Sequence, residues 1–260
     1  MKIARFSTGG DPRYGILDGD ELVVLKGDPM FMGFDPIDER VPLSAVKLLA
    51  PVIPRSKVVA VGKNYVDHVA EFGGDVPAEP LLFLKPNTSV IGPGDAIVLP
   101  KQSHRVDFEG ELAVVIGSIA KNVAEADAAS VIFGYTIAND VTARDLQKTD
   151  GQWARAKGFD TFCPLGPFIE TEFDLASHRV STSLNGEQRQ DAPLTEMVHG
   201  IAAVIAYASA VFTLLPGDVI LTGTPAGVGK MVDGDVVEVT VSGIGTLRNP
   251  VRALRGADIG

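Results

Sequence analysis

The chain has 260 residues, 45% of them hydrophobic and 22% charged, with 23 Lys and Arg against 33 Asp and Glu for a formal net charge of −10. These proportions exclude a disordered chain, which would be poorer in apolar residues, and the acidic balance disfavours a general nucleic-acid binder, which neutralises phosphates with basic side chains. An anionic substrate would need a local cation here: a metal ion, or a few placed lysines and arginines. The single cysteine, Cys163, allows no intrachain disulfide and fits a reducing compartment. The opening MKIARFSTGGDPRYG has no apolar h-region, so no secretory signal is expected and a cytoplasmic setting is. The longest apolar stretch, Ile201 to Leu215, is too short for a membrane span and ends in Pro216-Gly217, so a buried helix and no membrane contact are expected.

In chain order, residues up to Leu25 alternate around Asp18-Gly19-Asp20 and predict a small β-meander. Residues 26–54 carry several prolines and little periodicity and are expected to be a linker with at most one short element. The composition shifts near Pro54, which divides the chain into an N-terminal meander and linker, 1–54, and a larger unit, 55–260. Strands are predicted at Lys57–Val61, Leu81–Leu84, Ala96–Leu99, Phe108–Ile116, Ile132–Ala138, Gly166–Glu170, Val180–Leu184, Val219–Thr222, Val236–Val241 and Thr246–Val251. Helical spacing runs from Tyr65 to Glu71 and stops at Gly73-Gly74; a short helix is expected at Ala124–Ala129, a turn or two at 141–148, and the one long helix at 199–214. The class is α+β with strands dominating, without regular βαβ alternation.

Three segments carry chemistry. In Asp107-Phe108-Glu109-Gly110-Glu111 the two glutamates point to one face of a strand, because side chains alternate with period two. Adjacent carboxylates repel, and a divalent cation compensates them best; a solvated strand end is the alternative. Asp140 follows the apolar strand Ile132–Ala138, placed to face a cleft or to cap a helix. Three carboxylates without Cys or His make a hard ligand set suited to Mg²⁺, Mn²⁺ or Ca²⁺. His68 and Glu71 stand at i and i+3, so on a helix the carboxylate can orient the imidazole for taking a proton from water; a plain surface pair is the alternative. The glycines at 73 and 74 would let this segment move as a lid. Gly223-Thr224-Pro225-Ala226-Gly227-Val228-Gly229 could offer backbone N–H groups to an anion, but it lacks the Lys-Ser/Thr ending of a Walker loop. Lys63, Lys85 and Lys157 read as surface lysines by default, His104, His178 and His199 have no partner pattern, and Cys163 reads as a packed residue.

Taken together, VGKNYVDHVAE, FLKP, FEGELAVVIG, NDVTARD, QWARAKGFDTFCPLGP and LLPGDVILTGTPAGVG resemble the fumarylacetoacetate hydrolase family from about residue 57 to the C-terminus, with the meander before residue 54 similar to the N-terminal appendage of bacterial members. The resemblance implies a mixed β-roll, assembled as a homodimer. It implies Mg²⁺ or Mn²⁺, with Ca²⁺ as a substitute in crystals, held by Glu109, Glu111 and Asp140. It places a His68–Glu71 pair on a mobile helical segment, Lys157 near the metal, and Lys85, Gln147 and Thr224 along the substrate pocket. The implied activity is metal-dependent C–C cleavage of a small 2-keto or 1,3-diketo acid, such as acylpyruvate or fumarylpyruvate hydrolysis, with oxaloacetate decarboxylation on the same site. The alternatives are 2-hydroxyhepta-2,4-diene-1,7-dioate isomerase with linked tricarboxylate decarboxylase activity in aromatic catabolism and, in another class, a non-catalytic metal-dependent binder of small anions. The expected partner is a small keto-diacid.

Overall fold

In the computed structural model, which describes residues 1–254, the strands collect into sheets of twelve, five and three members. The backbone of the fold is the strand Gly110–Ile116, antiparallel to Ile132–Asn139 on one side and to Val219–Leu221 on the other. Val219–Leu221 then runs parallel to Val58–Gly62, which pairs with Leu81–Lys85 at that edge of the large sheet. Both faces of the central strand are buried. Leu112, Val114 and Ile116 enter one apolar cluster and Ala113 and Val115 another, as the two-residue repeat of a strand demands. The first cluster is covered by the helix Ile201–Val211, whose buried Ile201, Val204, Ile205, Ala208 and Ser209 form one stripe at helical spacing. No helix among the described residues is long and apolar enough to cross a membrane.

The N-terminal strands do not stand apart. Lys2–Ser7 pairs antiparallel with Cys163–Glu170, so the large sheet continues from the meander into the rest of the chain. The segment expected as a linker is more ordered than its composition suggests: it holds the short helix Pro29–Met32 and the strands Pro36–Pro42 and Lys47–Leu49. Pro36–Pro42 is an edge strand exposed along nearly its whole length, so its sequence needs no apolar alternation, and its prolines and charges suit an edge.

A second departure bears directly on the site. The predicted strand Phe108–Ile116 is broken at Glu109. Val106–Phe108 belongs to the three-stranded sheet, between Thr142–Ala143 and Gly229–Lys230, and Gly110–Ile116 to the large one. Backbone N–H groups freed by such a break must find partners. Glu109 N donates to Asn139 Oδ1 at 2.9 Å, and Gly110 N donates to Gln190 Oε1 at 3.0 Å. Gln190 comes from Glu187–Pro193, a strand of the five-stranded sheet that carries no apolar signature. That sheet presses so closely on Gly110 that a Cβ there would lie 2.1 Å from Thr182 Oγ1 and 2.9 Å from Val239 Cγ1.

Gly110→Ala is therefore expected to destabilise the protein by about 1–3 kcal/mol through overpacking, read as a fall of several degrees in Tm by scanning calorimetry. An unchanged Tm would show that the two sheets separate freely at this point.

Candidate active site

Glu109 lies at the break, Glu111 one residue into the central strand, and Asp140 directly after Ile132–Asn139. The Asp140 N–H donates to the Glu109 carbonyl at 2.9 Å, which fastens the two carboxylate-bearing segments together. All three carboxylates are buried, at 4%, 1% and 1% exposure, and one oxygen from each lies within 4.8 Å of the others. The two glutamates are therefore neighbours across a break between sheets, and not successive same-face positions of one continuous strand.

Buried like charges need compensation. Lys157, on the short helix Ala154–Gly158, donates to Glu109 Oε2 at 2.8 Å and to Asp140 Oδ2 at 2.6 Å. Lys85 Nζ donates to Asp140 Oδ1 at 2.6 Å and also to the Lys157 carbonyl. Arg144 donates to Glu109 Oε1 at 2.6 Å and to Asp107 Oδ2 at 3.0 Å. Burial would raise the Glu109 carboxyl, but Lys157, Arg144 and His68 outweigh it and hold it well below the usual carboxylate range. Lys157 is likewise held above its ordinary value, burial pulling it down and Asp140 and Glu109 more than restoring it.

Glu111 is treated differently. Its carboxylate accepts a backbone N–H from Gly223 at 2.7 Å. Burial, reinforced by the Asp140 and Glu109 charges, pushes it well above the carboxylate range. Glu109, Glu111 and Asp140 could hold a divalent cation, which would supply the charge this side lacks, and their all-oxygen donor set suits a hard ion. Cys163 contributes no thiolate: it is packed in the core, and burial pushes its thiol up to about 12.

These carboxylates border a cavity of about 250 Å³. The lining also includes His68 and Val69, from the helix Val66–Phe72. His68 is 8% exposed, and its Nδ1 lies 3.5 Å from Glu71 Oε2. Burial pulls the imidazole below its ordinary value; Arg144 and Lys157 add to this while Glu109 and Glu71 oppose it, so the balance favours the neutral form, which can accept a proton. Glu71 also accepts from Gly227 N at 3.3 Å, which joins the helix to the glycine-rich loop. That loop does offer N–H groups to anions, namely to two carboxylates of the protein itself.

Gln147 and Thr224 also line the cavity. Gln147 accepts from Arg144 at 2.8 Å. Thr224 donates to the Gly110 carbonyl at 2.9 Å and accepts from Gln190 Nε2 at 2.8 Å. Lys85 is placed otherwise: it sits beneath Asp140, outside the cavity lining, because its ammonium is consumed by Asp140 and the Lys157 carbonyl.

The profile described as "Fumarylacetoacetate (FAA) hydrolase C-terminal" matches residues 57–252. The chain belongs to the fumarylacetoacetate hydrolase family. A second profile, "Rv2993c-like, N-terminal", matches residues 1–51. A solved 2-hydroxyhepta-2,4-diene-1,7-dioate isomerase from Mycobacterium marinum is 46% identical over 97% of this chain and 98% of its own, with a TM-score of 0.90. The mitochondrial oxaloacetate tautomerase fahd2 of Xenopus laevis is 44% identical over 80% of this chain and 69% of its own length. A maleylpyruvate hydrolase from Sphingobium sp. SYK-6, solved with manganese (II) and pyruvate, is 33% identical over 98% of this chain and all of its own, with a TM-score of 0.81.

In this member of the fumarylacetoacetate hydrolase family, several supporting residues escape a reading of the sequence alone. Arg144 lies within NDVTARD, yet nothing in the motif says that it turns inward to Glu109. Gln190 bonds Thr224, the Pro225 carbonyl and Gly110 N from a strand without a motif. Asn64 is tied to the Thr222 and His199 carbonyls, locking the root of the His68 helix to the glycine-rich loop.

Glu111→Gln keeps the shape of the side chain and removes one buried like charge. In EDTA the variant is expected to melt above the metal-free wild type, and to lose the rise in Tm that Mg²⁺ or Mn²⁺ produces in the wild type. A metal-free variant that melts lower would contradict the charge account.

Proposed function

We propose that the protein is a divalent-metal-dependent enzyme that cleaves a C–C bond in a small 2-keto or 1,3-diketo acid, with acylpyruvate-type hydrolysis as its leading reaction. One observation carries this reading: three buried carboxylates converge within 4.8 Å at a small cavity whose lining also includes His68, with Glu71 Oε2 3.5 Å from the His68 Nδ1. Glu109, Glu111 and Asp140 would hold the ion. When bound, it supplies a Lewis acid for the keto oxygen and a charge sink for an enolate.

The remaining steps fall to the chain's own groups. His68, oriented by Glu71, takes a proton from water as the water oxygen adds to the distal carbonyl carbon. The bond from that carbon to the methylene breaks, and its electron pair departs with the pyruvate fragment. His68 returns the proton to the departing carbon, leaving a carboxylic acid and pyruvate. Lys157 offsets the developing negative charge beside Glu109 and Asp140, and Lys85 keeps Asp140 aimed from behind. Gln147 and Thr224 would contact the substrate from the walls.

A second reading is proton-transfer chemistry without cleavage. It is favoured by the isomerase and tautomerase at 46% and 44% identity, against 33% for the hydrolase. There His68 would move a proton between carbon and oxygen, with no water consumed. Decarboxylation of oxaloacetate belongs to the same site and needs no activated water either.

The test is a panel of acylpyruvates, fumarylpyruvate and oxaloacetate, followed by ultraviolet loss of the enol with Mg²⁺ or Mn²⁺. Glu109→Gln is expected to abolish turnover and weaken ion binding; turnover retained by that variant in excess EDTA would end the proposal. His68→Ala is expected to cost hydrolysis on the order of 100-fold or more, and oxaloacetate decarboxylation much less. Equal losses in both reactions would remove the water-activating role given to His68.

A further inference from the structure

A separate cavity of about 130 Å³ shares no lining residue with the acidic one and lies at the seam between the two matched segments of the chain. Ile3 and Met30 come to it from residues 1–51, Val52 and Ile53 from the junction, and Phe133 and Ile169 from residues 57–252. Ligand sites favour such seams. These walls are apolar, and the volume is close to the roughly 150 Å³ of an apolar cavity that takes up one benzene ring. Phe133 reaches the lining from a bulge: Val115 pairs with Gly134 and Ile116 with Ile132, so Phe133 is the extra residue, and a bulge re-aims a side chain. Phe133 also stands near the start of Ile132–Asn139, the strand that ends at Asp140. At about 3.3 Å per residue the cavity is therefore roughly 20 Å from the acidic cluster along that strand.

Two charged side chains stand on this lining, Asp28 and Arg55. Asp28 is spent within the protein: its Oδ2 accepts from the Tyr14 hydroxyl at 3.1 Å and its Oδ1 from Met30 N at 3.0 Å. Arg55 is not. Its guanidinium carbon lies 4.6 Å from the centroid of the Phe31 ring, itself part of the lining, and among the described residues it makes no ion pair and no hydrogen bond. Stacking on the ring holds the flat cation in place and leaves its N–H edge open to a planar, two-oxygen anion. Phe31 and Ile53 are 52% and 53% exposed, so the lining is partly open to solvent at these two side chains. Apolar walls, one unpaired cation and an open rim suit a ligand with an apolar body and a single anionic end.

We propose that this cavity is a second ligand site, taking a small monocarboxylate whose apolar body is about the size of one ring, with the body among Met30, Val52 and Phe133 and the carboxylate on Arg55. None of these residues belongs to the acidic cavity, so the site stands whichever reaction is catalysed there. Because its walls come from both matched segments, an occupant ties the N-terminal strands to the larger unit and stabilises the native chain by mass action.

The test is calorimetric titration, with saturating Mg²⁺ or Mn²⁺, of three probes: benzoate has ring and charge, benzamide the ring alone, and acetate the charge alone. Wild type is expected to bind benzoate about tenfold or more tightly than either of the others, and benzoate to raise Tm. Arg55→Gln is expected to weaken benzoate about tenfold or more, and Arg55→Lys to recover part of the loss. Glu109→Gln separates the two cavities: benzoate held by an ion at the acidic cluster would be lost in that variant, whereas benzoate on Arg55 is expected to stay. Benzoate affinity that survives Arg55→Gln, benzamide bound as tightly as benzoate, or loss of benzoate with Glu109→Gln each overturns the site. So does a wild type that binds no benzoate up to about 10 mM, the outcome expected if a second copy of the chain covers the rim.

Discussion

Three carboxylates buried together are the constraint around which this molecule is arranged. Left alone they would repel one another at close range in a medium that screens poorly, and at least one would be driven to take up a proton. The fold meets this with an uneven distribution of charge. Lys157, Lys85 and Arg144 are committed to Glu109 and Asp140, while Glu111 accepts the backbone N–H of Gly223. The imbalance leaves a deficit of positive charge on the Glu111 side, in a cluster made of oxygen donors. A cluster of oxygen donors with that deficit is one that could hold a hard dication.

Holding such a cluster requires backbone that neither shifts nor leaves its own polar groups bare. The break at Glu109 would expose two N–H groups, and side chains from two different sheets accept them, Asn139 from the large sheet and Gln190 from the five-stranded one. Gln190 also fastens Thr224 and the Pro225 carbonyl, and the same loop presents Gly223 N to Glu111 and Gly227 N to Glu71. One loop therefore links Glu111 of the acidic cluster to Glu71 beside His68. A displacement of the loop would disturb the acidic cluster and the His68 helix together, which gives the two halves of the site a common mechanical support.

Much of the site could be read along the chain because its residues sit in dense local motifs. Glu109, Glu111, Asp140, His68 and Glu71 are marked by carboxylates next to apolar strands and by an i, i+3 pair on a short helix. Lys157 entered through a family resemblance, since a lysine at the end of a short helix has no spacing of its own to mark it. Arg144, Gln190 and Asn64 were silent for a related reason: each acts on groups distant in the chain, and a lone polar residue shows no period. Lys85 was visible but misplaced, because nothing local says that an ammonium after an apolar strand is buried under Asp140 and not turned toward the cavity. The edge strand Pro36–Pro42 escaped because a strand exposed on both faces has no apolar repeat to display.

The amino-acid sequence by itself determined the strand-dominated class, the apolar helix near the C-terminus, and a carboxylate and histidine inventory suited to a hard metal and a proton-accepting base. These properties follow from side-chain periodicity and residue chemistry, which are local. Tertiary structure alone decided that the strand breaks at Glu109 and that one sheet lends Gln190 to another. Those outcomes depend on groups far apart in the chain meeting in a space where every polar atom must be satisfied, and no window of neighbouring residues contains that information.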